Sequence, residues 1–316
     1  MRKLVWIALA VLSWSAFAQP YPAKPVRLVV AFPPGGPVDI IARLVAPKLN
    51  EAFGQAVVVE NKAGASGNIA TTEVARSAPD GYTLLTHSSA YAVNPTLYAN
   101  AGYDPGRDLI PVAIVAQQAN IILVNASFPA NTLEELRKQM LSRKLAYGSP
   151  GAGTTPALTA QNLFQVRWKA DAAHIPFKGA GPMLQGLLSG EPAIGCMAGS
   201  APMANIRSGK LRALAVSSAK RLPQLPDVPT LGELGQPGME DYTWVGIFAP
   251  AGTPADVLQK LNDAIVKAAN DAEIRKRMET LAFDVTAAPL RETADYVRSE
   301  VAKWAKVVRE TGAKAD

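Results

Sequence analysis

Residues 26–61 read VRLVVAFPPGGPVDIIARLVAPKLNEAFGQAVVVEN, and the way this stretch divides decides the fold. Val26 to Phe32 is an apolar run of strand length apart from Arg27, stopped by Pro33-Pro34-Gly35-Gly36. Ile40, Ile41, Leu44, Val45, Leu49 and Phe53 then recur at the spacing of one helix face, and Gly54 closes the segment. Pro47 falls inside that pattern, so the spacing predicts a kink or a helix in two parts. Val57 to Val59 begins the next strand. Further out, a helix near Ile69 to Arg76 and a strand over Tyr82 to Thr86 extend the order to β-α-β-α-β, which argues for a parallel sheet covered by helices.

After the long apolar stretch Val112 to Val124 a second series begins. Thr132 with Glu135 has capping-box spacing before a helix through Leu141. Strands are expected over Leu145–Gly148, Ala173–Phe177, Ala193–Met197 and Leu211–Ser217, with helices at Pro156–Phe164 and Pro182–Leu188. The Pro- and Gly-rich stretch Leu222 to Gly238 reads as a long surface connection. Trp244–Ala249 is a further strand, and Thr253-Pro254 with Asp256 predicts a helix start by capping and by proline placement. Helices at Ala272–Leu281 and Arg291–Glu310 flank a strand at Phe283–Thr286.

The chain's 316 residues suit two domains rather than one. Its first 18 residues form an export signal: Arg2 and Lys3, the short apolar run Leu4–Leu12, and Ala16-Phe17-Ala18 before the expected cut. Removing them lowers the charge from +6 to 30 − 26 = +4. One cysteine, Cys196, excludes an internal disulfide and any cysteine-cluster metal site; two histidines leave little for a histidine-based centre. No metal or other cofactor is expected. The lysines and arginines of the C-terminal helices alternate with acids, which reads as a solvated face rather than a nucleic-acid surface.

Glycine-rich turns sit where strands end and helices begin, at Pro33–Asp39, Gly64–Asn68, Gly148–Thr155 and Lys178–Pro182. Open α/β sheets bind ligands beyond the carboxyl ends of their strands, where helix N-termini present unpaired N–H groups. Two such turns in each half predict facing sets of donors suited to a carboxylate. Nucleotide motifs fail: Thr154 stands where a P-loop needs lysine, and Pro156 occupies the third glycine position of a dinucleotide fingerprint. Ser149 or Ser66 as nucleophile in an exported hydrolase is the competing reading, but nothing local in sequence places a base such as His174 beside either. His174 reads as a satisfied strand histidine. For His87 lining a pocket and plain packing stay open, and for Asp39 the default role is to offset the helix dipole and fix its loop.

Several motifs resemble the Bug, or tripartite tricarboxylate transporter, substrate-binding receptors. They are Tyr21-Pro22-x-Lys24-Pro25, Phe32-Pro33-Pro34-Gly35-Gly36-x-x-Asp39, Val59-Glu60-Asn61-Lys62-x-Gly64-Ala65, Ala78-Pro79-Asp80-Gly81-Tyr82 and Asn94-Pro95-x-Leu97-Tyr98 in the first half. Gly148-Ser149-Pro150-Gly151-x-Gly153-Thr154, Pro176-Phe177-Lys178-Gly179, Arg207-Ser208-Gly209-Lys210 and Ala249-Pro250-Ala251-Gly252-Thr253-Pro254 follow in order. The resemblance implies a two-lobed periplasmic binding protein of the type II, Venus-flytrap kind, each lobe a mostly parallel sheet flanked by helices. Lobe 1 is expected at 19–121 with 228–316, and lobe 2 at 122–227. It implies a non-enzymatic, monomeric receptor that hands a small carboxylate to membrane permease subunits or, alternatively, to a sensor kinase. A di- or tricarboxylate, an aromatic carboxylate and an acidic amino acid all fit. The implied contacts in lobe 1 are Pro34, Gly35, Gly36, Asp39, Ala65, Ser66, Gly67, His87, Ser88 and Ser89. Those in lobe 2 are Ser149, Gly151, Gly153, Thr154, Thr155, Lys178, Gly179 and Ala180. Ala157 and Tyr91 stand where the family often has histidine, and Gly186, Ala193 and Met197 stand at or near places where it often has aspartate. That points to a more apolar pocket.

Overall fold

A computed structural model of the protein describes residues 21–315; the expected export signal and the expected cut after Ala18 lie outside the described residues. Strand β1 (Val26–Val30) leads through the proline–glycine turn into helix α1 (Pro37–Phe53), which Gly54 ends in the left-handed conformation. Of the two outcomes expected at Pro47, the split into two helices is absent: α1 runs through it as one helix, with Val38, Ile41, Ala42, Val45 and Leu49 buried on one face. Strand β2 (Val57–Asn61), helix α2 (Asn68–Ala75), strand β3 (Thr83–Ser88) and helix α3 (Ala90–Leu97) complete the first series. Strands β2, β1 and β3 pair in parallel, as the alternation predicts.

Strand β4 (Leu109–Asn125) is one 17-residue strand that serves both halves. It is followed by α4 (Leu133–Ser142), β5 (Leu145–Ser149), α5 (Thr155–Gln161, continued by a wider turn to Arg167), β6 (Ala172–Pro176) and α6 (Ala180–Ser189). Next come β7 (Ile194–Ala198), α7 (Met203–Arg207), β8 (Leu211–Val216) and β9 (Tyr242–Pro250), then α8 (Ala255–Ala269), α9 (Ala272–Thr280), β10 (Asp284–Val285) and α10 (Leu290–Thr311). Residues 109–119 of β4 pair with β9, and residues 120–125 pair with β7 and β8. Each lobe is therefore mixed rather than mostly parallel. Strands β6, β5 and β7 are parallel like their lobe 1 counterparts, while β4 and β9 run antiparallel because they carry the chain out of lobe 1 and back.

Residues 230–239 still pack with the second half of the chain. Thr230 bridges Val216, and Leu231 and Met239 are buried with Tyr147, Phe164 and Leu214 in the second core. Asp241 N–H donates to Ser217 C=O, and from Tyr242 onward β9 pairs with residues 109–119 of β4. The Pro- and Gly-rich connection is thus pinned by buried Leu222, Leu225 and Leu231 rather than lying loose on the surface. At α4, Thr132 Oγ1 accepts from Glu135 N at 3.1 Å, but the glutamate reaches back to Asn131 N instead of closing on Thr132. Thr253 does not cap α8: its hydroxyl donates to Pro250 C=O, and Pro254 holds the cap position. Among the described residues no helix is long and apolar enough to cross a membrane.

Candidate functional site

The four glycine-rich turns meet. Between the lobes lies a cleft of about 840 Å³ whose walls include Pro33, Gly64–Gly67 and Tyr98 from lobe 1, and Pro150–Ala152, His174 and Pro176–Gly179 from lobe 2. Beneath it is a floor pocket of about 30 Å³, lined by Gly36, Pro37, Val38, Ser88 and Ser89 on one side and by Thr154–Pro156, Ala180 and Ala198 on the other, with Thr243 between. That volume matches one or two water molecules. Helices α1, α3, α5 and α6 all begin on this floor. First-turn N–H groups have no intrahelical acceptor, and each helix start carries a partial charge of about +0.5. The wall residues include Lys178 and Lys314 and no carboxylate, so the whole cleft favours an anion.

The lobes touch across it. Gly153 N donates to Ser66 Oγ at 3.3 Å, Ser66 Oγ also accepts from Tyr98 Oη at 3.0 Å, and Ser89 Oγ lies 3.0 Å from Thr155 Oγ1. Gly179 adopts φ +113°, and a Cβ there would lie 2.9 Å from the Cδ and Cγ of Pro33. Only glycine lets these two turns approach so closely.

Several expected contacts are turned elsewhere. Asp39 is 4% exposed, and its carboxylate accepts from Gly35 N at 3.0 Å, Arg43 Nε at 2.9 Å and Asn61 Nδ2 at 2.8 Å. It fixes the loop and consumes the Gly35 N–H, leaving neither for a ligand. Pro34 stays outside both lining sets, with its carbonyl towards Gly181. His87 is fully buried beneath Gly67, donates Nδ1–H to Ser88 C=O at 2.9 Å, and has its pKa pushed down to about 4 by burial. Packing is its role. Of the remainder, Gly36, Ala65, Ser66, Gly67, Ser88, Ser89, Gly151, Thr154, Thr155, Lys178, Gly179 and Ala180 line the cleft, whereas Ser149 and Gly153 shape its turns from behind.

Parallel pairing of β5 with β6 does bring His174 to Ser149, with Nε2 2.7 Å from Oγ. The sequence offers no local sign of this contact, which crosses between strands. It does not make a nucleophile. Ser149 Oγ also lies 3.2 Å from Gly151 C=O, which competes with the ring for its proton, and burial lowers the His174 pKa to about 4, which makes the ring a weak base at neutral pH. No carboxylate bonds the ring among the described residues. Tyr91, which stands where the family often has histidine, is packed in the core against Phe248 and Tyr103.

Sequence reasoning missed the polar residues behind the floor. Asn120 and Asp241 are buried at the crossing between lobes, where Asn120 Nδ2 donates to Asp241 Oδ1 at 2.6 Å and Thr243 Oγ1 donates to Asn120 Oδ1 at 2.7 Å. Burial pushes the Asp241 pKa up to about 7. The one available signal was polarity: Gln117, Gln118 and Asn120 interrupt an otherwise apolar run.

Residues 41–313 match the family model described as the tripartite tricarboxylate transporter family receptor. The chain belongs to that family. Protein BugT of Bordetella pertussis is 37% identical over 314 residues, covering 98% of this chain and 96% of that one. The solved periplasmic binding protein BugD superposes with a TM-score of 0.89 at 34% identity, over 94% of this chain and all of that one. An R. palustris protein solved with adipate gives 0.89 at 33% identity, over 93% and 99% of the two chains. This receptor is accordingly a two-lobed α/β solute-binding protein of a periplasmic family, and not an enzyme.

Proposed function

We propose that this receptor captures a small carboxylate in the interlobe cleft and delivers it to the membrane permease subunits of a tripartite transporter. The observation that carries the reading is the convergence of four helix starts, two from each lobe, on a floor without a charged side chain. Amide donors held there compensate a carboxylate without the desolvation cost of a buried lysine or arginine. The adipate held by the R. palustris relative supports the same chemistry. Ligand bridging both lobes binds the closed arrangement better than the open one, and that difference drives closure. The lobes are assigned as 21–119 with 242–315 and as 120–241, and the mature chain is a periplasmic monomer beginning at Gln19.

A thermal-shift screen of the mature chain over mono-, di- and tricarboxylates, aromatic acids and acidic amino acids tests this. An acid at 100 times its Kd adds about 2.7 kcal/mol of stability. A panel in which no acid raises Tm while neutral or cationic solutes do would sink the reading.

A further inference from the structure

The lobe 2 wall of the cleft carries a histidine whose tautomer is decided by its neighbours. The His174 ring on β6 stacks on Tyr147 of β5, with centroids 5.0 Å apart and planes 19° from parallel, and its Nε2 lies 2.7 Å from Ser149 Oγ. Ser149 has one hydroxyl proton and two acceptors in reach, Nε2 and the more distant Gly151 C=O at 3.2 Å. That carbonyl is already taken. Thr154 gives it a hydroxyl proton at 2.7 Å and a backbone N–H at 3.1 Å, one for each lone pair. The Ser149 proton therefore goes to Nε2, and the neutral ring carries its own proton on Nδ1. Burial, which holds the His174 pKa near 4, keeps the ring neutral. The Nδ1–H has no acceptor among the described residues. Unlike Nε2 of His87 it is not sealed in the core, because the half-buried ring lines the cleft beside Pro176.

We infer that His174 is a specificity-determining residue: its Nδ1–H donates to an oxygen acceptor at the far end of the bound acid, and Ser149 and Thr154 are the positioning residues that fix the tautomer. The floor and the wall then divide the ligand between them. Helix starts on the floor take the first carboxylate, and this inference rests on that reading. The wall takes what lies at the other end, either a second carboxylate or a neutral carbonyl. An acid with an apolar far end leaves the Nδ1–H desolvated without a partner and is rejected on that account.

Calorimetric titration of the mature chain with three five-carbon acids, pentanoate, 4-oxopentanoate and glutarate, tests this. If the wall reads a carbonyl, 4-oxopentanoate binds about 2–10-fold tighter than pentanoate; if it reads a second carboxylate, glutarate alone gains, by about tenfold or more. Lys178 and Lys314 border the same cleft and favour glutarate too, so the deciding comparison is His174→Phe, which keeps a ring on Tyr147 and loses the donor. There the preference over pentanoate shrinks at least about threefold, and His174→Asn, with an amide N–H in place of Nδ1–H, restores part of it. A preference unchanged in His174→Phe, or three acids bound alike by the unmodified protein, overturns the inference and leaves the carboxylate reading standing. Binding of none of the acids removes that reading for these ligands and the wall's role with it. The tautomer has its own readout, side-chain nitrogen NMR of the ligand-free chain, in which the signals missing from His174→Phe belong to His174. A protonated Nδ1 with a bare Nε2 is expected, and the reverse overturns the inference. His174→Leu replaces His174→Phe if the latter does not fold.

Discussion

Gly179→Ala tests whether the contact of the two lobes governs binding. The added Cβ would lie 2.9 Å from two ring carbons of Pro33, across the cleft, against the roughly 3.5 Å of ordinary carbon–carbon contact. Pro33 is a rigid ring on a turn held by Asp39, so the strain is relieved by opening the lobes, by about 0.6 Å at that point. That movement stretches the Gly153–Ser66 bond, which at 3.3 Å is already long. Overpacking of this kind costs about 1–3 kcal/mol, or about 5–150-fold in affinity. The φ of +113° adds about 1–2 kcal/mol for a residue with a Cβ, but in the open and closed forms alike. It therefore registers in stability and cancels from binding. Calorimetry with the tightest acid from the screen reads the first effect, and thermal unfolding without ligand reads the second. Pro33→Ala in the same chain removes the obstructing carbons and should return most of the lost affinity. Unchanged affinity in Gly179→Ala, or no recovery in the double variant, would refute the reasoning.

Three further perturbations have defined outcomes. Glu300 Oε2 accepts from the indoles of Trp244 and Trp304 at 3.0 and 2.9 Å, so Glu300→Ala strands two buried donors and costs about 2–6 kcal/mol in urea unfolding. Glu300→Gln keeps a carbonyl for both and should cost about 1 kcal/mol; equal losses would contradict this. Gly67→Ala places a Cβ 2.1 Å from His87 Nε2 at φ +97°, and a drop in stability of about 2–5 kcal/mol is expected, with a native-like Tm the refuting result. On acidification, the folded state refuses the protons that an unfolded His87 and His174 bind between pH 6.5 and about 4, so each lowers stability by roughly 3 kcal/mol through that window. Asp241 opposes this, because its folded form holds a proton up to about pH 7 that the unfolded chain releases near 3.8, a contribution lost as pH rises. Asp241→Asn should therefore steepen the acid-side loss, measured as the change in urea midpoint between pH 7.5 and 4.5. Equal slopes would count against both assignments.

The α/β layering was legible wherever one face of an element meets water. The stripe of Ile41, Val45 and Leu49 on α1, and the proline–glycine stop before it, followed directly from spacing. Helix α3 was not read, since Ala90–Val93 are buried on every side and Pro95 breaks the pattern further. Strand β4 was seen only as an apolar stretch: buried on both faces, it lacks the alternation that marks a strand, and nothing local tells that its two ends pair in different lobes. The glycine turns announced the cleft because backbone approach demands glycine in the sequence itself. The polar contacts behind the floor could not be announced that way, for their partners lie 66 to 123 residues apart and each alone is an ordinary serine, threonine or asparagine.

The two ends of the described chain lie at opposite poles of lobe 1. Tyr21 packs on Phe53 and Tyr82 at the amino ends of the strands, while Ala315 N–H donates to Leu97 C=O and, with Lys314, borders the interlobe cleft. A fluorescent or affinity fusion at the tail would crowd the cleft, whereas one joined ahead of Tyr21 leaves it unobstructed.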